Sequence, residues 1–403
     1  MALFDDASLV VTPNGYKAGT LYSIKPTSGA GDMTVVRATT ATRVNSAGLI
    51  ESMANNVPRL DYSNGSCPSL LVEPQRTNLL TYSEQFNNGV WGLFSSGTGV
   101  NPIITANTTT APNGTLTADT IVFNSGVGTT AADQSQMYQT FQRATGVTYT
   151  YSFYAKGLVG GEQVMVRHAD GSSYTKLTLT NDWARYQVTE TSAATGTGYL
   201  EMVIRRGLNE PMNASATFYI WGAQLEEGAY PTSYIPTTSA AVTRNADAIY
   251  KTGINSLIGQ TEGVMFLDLF ASAKNNDANT FGTWIFAGSA AENFQIYNLG
   301  TTLYWYARNT GGIIIDQTAN QTIVEGTRYK IAYAYKSGDY ALYINGVQKR
   351  TSANANVPVA VSQFNLSAGT NGASPVIVKN EYNSVVLFPT RLTNAELATL
   401  TTI

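Results

Sequence analysis

The 403-residue sequence contains one cysteine, Cys67, and one histidine, His168. A lone cysteine excludes an intrachain disulfide, so the fold must be held by its cores or by association between copies. With a single histidine, a zinc site built from several His and Cys ligands is also excluded. Any Ser–His–acid triad would have to use His168, which sits in the strand-like run VMVRHADG and reads as a surface residue. Charge is scarce as well: Asp, Glu, Lys and Arg make up 13% of the chain and the net charge is −3. Such a balance lacks the basic stripe that nucleic acid requires and the charge density of a disordered chain. No Gly-Lys-Ser/Thr phosphate loop is present. No apolar run approaches the length of a membrane span, so membrane insertion is not expected. The opening MALFDDASLVV is acidic where an export signal is basic. A chain of extracellular character without such a signal fits release by lysis of the cell that makes it.

What the sequence has instead is 24 tyrosines, 36 glycines and abundant Thr, Ser and Asn, the composition of an all-β chain with many turns. Its length predicts two or three domains. The stretch FYIWGAQLEEGAYPTSYIPTTSAAVTRNAD, from Phe218 onward, starts as a strand and leaves through Gly222 and the acidic turn Glu226-Glu227-Gly228. Pro231 and Pro236 then force an extended run, which reads as the exit from a domain. EPQRTNLLTYSEQFNNGVW, at 73–91, is the matching entrance.

Short strands are expected at 8–12, 19–25, 33–39 and 48–53, with Asn64-Gly65 as a hairpin signal. In 149–155, Tyr149, Tyr151, Phe153 and Ala155 alternate with smaller polar residues, the period of a strand with one buried face. Asp170-Gly171 marks a further hairpin. In 303–307, Tyr304 and Tyr306 fall on one face and Trp305 on the other. Tyr329, Ile331, Tyr333 and Tyr335 share a face, and Asn345-Gly346 predicts a type I′ turn. Thr393-Asn394-Ala395-Glu396 is a capping box that opens one short helix over 394–400.

Four segments in order, RTNLLTYSEQFNN…W, YTYSFYAKG, WARYQVT and FYIWGAQLEEGAYPTSYIPT, resemble the carbohydrate-binding-module-like jelly roll of bacteriophage virion appendages. The N-terminal stretch from MALFDDASLVVTPNGYKAGTLYSIKP resembles the particle-contacting end of phage tail or head-fibre proteins. YKIAYAYKSGDYALYINGV with VLFPTRLTNAELATL resembles concanavalin A-like, laminin G-type lectin domains. The resemblances imply a small N-terminal attachment region over 1–75, a jelly roll over 76–246 and a concanavalin A-like sandwich over 247–403. They further imply a fibre or appendage subunit of the virion, assembled in the host cytoplasm. Its expected partners are other virion proteins at the N-terminal end and host-surface glycans at the other. A homotrimer formed through β-domain faces is expected, since no heptad run is present. Many such jelly rolls hold a structural calcium between their first and last strands, and Glu84 and Glu226 are the positions that would meet around it.

Sugars stack their C–H faces on aromatic rings and bond their hydroxyls to amides and carboxylates. Trp91, Trp284, Trp305 and Tyr306 are the candidate glycan-binding residues, with Asn87, Asn88 and Asn309 as polar neighbours. No catalytic residue is expected. Glucanases of the concanavalin A-like fold carry Glu-x-Asp-x-x-Glu, and after Asp247 no two acids of this chain lie within four positions of each other. Three alternatives stay open: a purely structural decoration protein, in which these aromatics are buried or in subunit interfaces; a depolymerase with two carboxylates flanking a cleft; and a bacterial secreted glycan-binding protein, against which the missing export signal counts.

Overall fold

A strand with large apolar residues at every second position is stable only if a second layer covers them, and this chain meets that demand twice. The computed structural model describes residues 3–168, 174–207, 212–271, 281–367 and 376–403; the expected hairpin at Asp170-Gly171 lies outside them. The chain divides into two compact all-β units, one of residues 1–48, 52–75 and 245–403, the other of residues 49–51 and 76–244.

The first unit is built from two large sheets. One has the strand order Val347–Ser352, Tyr340–Ile344, Thr327–Lys336, Glu262–Ala271, Asn380–Phe388, Ser69–Val72 and Arg59–Asp61, with Leu9–Val11 also paired to Asn380–Phe388. The other runs from Tyr16–Lys17 through Thr20–Leu21, Met33–Val36, Ala248–Thr252, Gln363–Asn365, Phe281–Gly288, Asn293–Leu299 and Thr302–Asn309 to Gly312–Thr322. Tyr329, Tyr333 and Tyr335 point between the sheets, where Trp305 lies 5.4 Å from Tyr333 and Phe294 lies 4.3 Å from Tyr335. The opposite face of the same strand is covered too. Ala332 and Ala334 pack with Leu397 and Leu400 of the helix Asn394–Thr401, which opens on the Thr393–Glu396 capping box. Asn345 and Gly346 hold φ of 49° and 78°, as a type I′ turn demands.

Residues 1–75 are therefore not a separate compact region. Their strands are too short to make a core of their own, and all but Ala41–Val44 and Ile50–Met53, which form a two-stranded sheet by themselves, take places in the sheets of the C-terminal strands. Leu9 pairs with Leu387, Val35 with Ile249 and Leu71 with Glu381. A buried ion cluster fixes the join. Arg37 donates to Asp247 at 2.8 Å, Arg59 donates to Glu73 at 2.7 Å and also to Asp247, and the Glu73 N–H donates to Asp247 at 2.9 Å. All four side chains are at most 2% exposed. Burial opposes the Arg59 charge, but the carboxylates of Asp247 and Glu73 more than reverse this and raise its pKa.

The second unit is a sandwich of two five-stranded antiparallel sheets. Gly92–Ser96, Gln134–Arg143, Gly196–Arg205, Gln163–Arg167 and Thr175–Thr178 form one. Val100–Thr109, Ala118–Asn124, Ser215–Glu227, Thr148–Gly157 and Ala184–Thr191 form the other. Tyr149, Tyr151, Phe153 and Ala155 all enter the core between them, as their alternation predicts. The unit begins and ends on a two-stranded stem in which Arg76 pairs with Arg244 and Asn78 with Val242.

Candidate functional site

The three candidate tryptophans are core residues, with exposures of 4% for Trp91, 1% for Trp284 and 0% for Trp305. Trp305 shares its inward register with Leu303 and Ala307, and Trp284 spends its indole N–H on Asn298 at 3.2 Å. Trp91 ends a tight turn closed by its N–H on the Asn88 carbonyl, lies 5.0 Å from the Phe86 ring at a 38° tilt and donates to the Tyr82 carbonyl. None of them offers a ring to a sugar. Asn88 and Asn309 are likewise used locally, accepting from Val90 and Gly311 in their own turns.

Tyr306 is half-buried and faces outward on the large sheet of the first unit. Tyr304 lies beside it and stacks on Tyr297 at 5.1 Å with an interplanar angle of 2°; Tyr306 is 6.5 Å from Tyr297. Asp316 pairs across from Tyr306 and accepts from the Tyr297 hydroxyl at 3.3 Å. Burial and then the Asp316 charge push the Tyr297 pKa up, so the ring keeps its proton as a donor. Tyr297 is missed by sequence reasoning, although the alternation Gln295, Tyr297 against Phe294, Ile296 signals the same outward face.

Glu84 and Glu226 each take other partners. Glu84 accepts from Tyr234 at 3.0 Å, while Glu226 accepts from the Thr232 N–H at 2.9 Å and from Gln224, and lies 3.8 Å from Arg76. Burial raises the pKa of both carboxyls. Among the described residues no group of three or more His, Cys, Asp or Glu converges as a metal site requires.

His168 is fully buried rather than at the surface. Its Nε2 lies 2.8 Å from the Val188 carbonyl and its Nδ1 3.9 Å from Glu190. Burial lowers its pKa to about 4, against a smaller raising effect of the Val188 bond. The unfolded chain takes up this proton near pH 6.5 and the folded unit only near pH 4, so stability rises with pH across that window. Acidifying through it is expected to cost the second unit roughly 3 kcal/mol from this residue alone. His168→Gln removes the contribution: denaturant midpoints at pH 4 and pH 7 should lie closer together in the variant than in the parent, and an unchanged gap would refute the assignment.

The second unit carries a more exposed aromatic face, formed by the outward registers of Gly92–Ser96, Gln134–Arg143, Gly196–Arg205 and Gln163–Arg167. Phe94 pairs with Gln136 and Gln136 with Val203; Tyr138 and Arg167 both pair with Glu201. Phe94 is 45% exposed and Tyr199 is 49% exposed, unusual values for large rings on a sheet. Tyr138 and Tyr199 lie 5.9 Å apart at 58°. To one side of these rings, across Gly196–Arg205, sits a polar centre. Arg167 donates twice to Glu201, at 2.8 and 2.9 Å, and the Tyr174 hydroxyl donates to Glu201 at 2.7 Å. The Arg167 guanidinium also lies 4.5 Å over the Tyr174 ring. Burial and Glu201 push the Tyr174 pKa up to about 12. Gly92 makes room for this face: a Cβ there would sit 2.4 Å from the Tyr138 ring. Alternation within a strand does not say which of its two faces a second layer leaves uncovered.

Sheets, core and faces define an all-β sandwich protein with outward aromatic surfaces on both of its units. No family model matches the sequence, and no curated protein matches it. Among solved structures it is similar to the CBM40 of the Ruminococcus gnavus IT-sialidase bound to α2,3-sialyllactose, at 14% identity and a TM-score of 0.31, over 36% of this chain and 84% of that one. Domain 4 of an extracellular GH43 arabinanase from Geobacillus stearothermophilus, in complex with arabinotriose, is similar at 14% identity and a TM-score of 0.32, over 43% and 82%. The botulinum neurotoxin serotype D ligand-binding domain with N-acetylneuraminic acid is similar at 11% identity and a TM-score of 0.32, over 38% and 39%. The functional reading rests on the side chains described above.

Proposed function

We propose that the protein binds glycans on the outward face of its second unit, without catalysis, and does so as an appendage subunit of a bacteriophage virion. The observation that carries the binding reading is that the exposed rings Phe94 and Tyr199 share one outward sheet face with Arg167 and Glu201. The rings suit the C–H face of a sugar, and Arg167, the more exposed partner of its pair with Glu201, suits its hydroxyls. Glu201 is engaged by Arg167 and Tyr174, which suits a binding role better than an acid–base one. The virion assignment, a trimeric state and attachment to host-surface glycans are supported by the resemblance of 74–247 to appendage jelly rolls. A purely structural decoration protein is the second reading, and the burial of Trp91, Trp284 and Trp305 favours it.

Binding of the purified, labelled chain to candidate host cells, before and after their surface polysaccharide is stripped, separates the two. Loss of binding on stripping is expected. Tyr199→Ala and Phe94→Ala should each weaken binding about tenfold, taking the ~1–3 kcal/mol of a base–aromatic stacking contact as the scale. Gly92→Ala should do the same indirectly by displacing Tyr138. Unchanged binding in all three variants would refute this face as the site, and no binding to intact cells would favour the structural reading.

A further inference from the structure

We propose that the first unit carries a separate oxyanion-binding subsite at the edge of its sandwich, lined by Gln317, Gln348, Lys349, Arg350 and Thr351. The hollow has a volume of about 310 Å³, at the lower end of the roughly 300–1,000 Å³ typical of small-molecule sites. It forms where the last strand of one sheet, Gly312–Thr322, passes the last strand of the other, Val347–Ser352. Arg350 ties the two together, donating to the Thr318 carbonyl at 2.7 Å, the Thr318 hydroxyl at 3.2 Å and Asn320 at 2.7 Å.

A regular strand would send Gln348, Lys349 and Arg350 alternately to opposite faces. Here a bulge intervenes: Leu342 pairs with Arg350 but Tyr343 pairs with Gln348, leaving Lys349 as the extra residue. Bulges re-aim side chains in this way, and the result is that consecutive residues line one hollow. The lining holds two cations, two amides and a hydroxyl, and no carboxylate. Among the described residues the Lys349 ammonium makes no hydrogen bond or ion pair, whereas Arg350 is held in place by the neighbouring strand. A fixed guanidinium beside an uncommitted ammonium, flanked by amide donors, is the donor set for a carboxylate, sulfate or phosphate oxygen. The ligand class is therefore an oxyanion, either a free inorganic one or the acidic group of a saccharide. The simpler account of Lys349, a charge that blunts an exposed edge strand, predicts no ligand at all.

Calorimetric titration of the full chain in phosphate-free, low-salt buffer decides between them, using sodium sulfate, a sulfated disaccharide, a uronic-acid disaccharide and a neutral disaccharide as probes. At least one anionic probe should bind while the neutral one does not. Lys349→Gln should weaken that binding at least tenfold, and Lys349→Arg should restore most of it. Sulfate matching the acidic sugars would assign the site to free oxyanions; tighter binding of an acidic sugar would assign it to acidic glycans. Arg350→Gln is expected to loosen the edge itself, so Lys349 carries the test. Tyr199→Ala should leave the anion titration unchanged, which separates this subsite from the face of the second unit. Equal binding of neutral and anionic probes, no binding of any, or a Lys349→Gln variant indistinguishable from the parent would each overturn the proposal.

Discussion

Substituting leucine for Arg59 is expected to destabilise the first unit by about 3–5 kcal/mol, because it strands two buried carboxylates without their cation. In a unit of this size that corresponds to a fall of roughly 10 °C in its melting temperature. The cost arises from the geometry. Arg59 reaches Glu73 and Asp247 together, and Asp247 in turn binds Arg37 and the Glu73 N–H. Reducing the charge on the acid side should be milder than removing the arginine. Asp247→Asn keeps an acceptor for one arginine, although it leaves the two guanidiniums facing a single remaining carboxylate. Differential scanning calorimetry of the full chain checks the ranking. Arg59→Leu melting with the parent would show that the cluster contributes nothing net, as some buried ion pairs do when replaced by apolar groups.

The second large effect concerns where the chain can be cut. A fragment of residues 247–403, the expected boundaries of a self-contained sandwich, should not fold. It lacks Leu9–Val11 and Ser69–Val72, both paired to Asn380–Phe388, and Met33–Val36, paired to Ala248–Thr252. It also keeps Asp247 without either arginine. By contrast, joining residue 75 to residue 245 through an Asn-Gly turn should give a folded protein. The chain enters and leaves the second unit side by side, with the Asp247 N–H donating to the Glu73 carbonyl at 3.0 Å and Asn245 donating to Gln75 at 3.4 Å. A two-residue turn closes such a ladder. Near-ultraviolet circular dichroism and resistance to proteolysis should separate the two products. A cooperatively folded 247–403 fragment would refute the discontinuous unit.

What the sequence made legible was local. The outward Tyr304 and Tyr306 against an inward Trp305, the positive-φ pair Asn345-Gly346 and the Thr393–Glu396 box each follow from a few adjacent residues, and each is present. The pairing of Leu71 with Glu381 is not local, and nothing in either short strand names its partner. The same limit explains the tryptophans. Alternation separates Trp305 from its neighbours but does not say which side the other sheet will cover. Phe94 and Tyr199 were hidden for the converse reason: they read as ordinary strand residues until the core is seen to lie on the far side of their sheet, with Met137, Leu200 and Met202.

The woven first unit also sets an order for synthesis. Residues 76–244 are contiguous and can close their sandwich as soon as they leave the ribosome. Ser69–Val72 must wait for Asn380–Phe388, about 310 residues later, a delay of roughly 15–60 s at ordinary elongation rates. For that interval Leu9, Val11, Leu70 and Val72, all buried in the finished protein, lack the strand Asn380–Phe388 with which they pair. The nascent chain therefore carries an adhesive N-terminal segment for as long as residues 76–244 are folded and Asn380–Phe388 is still to be made.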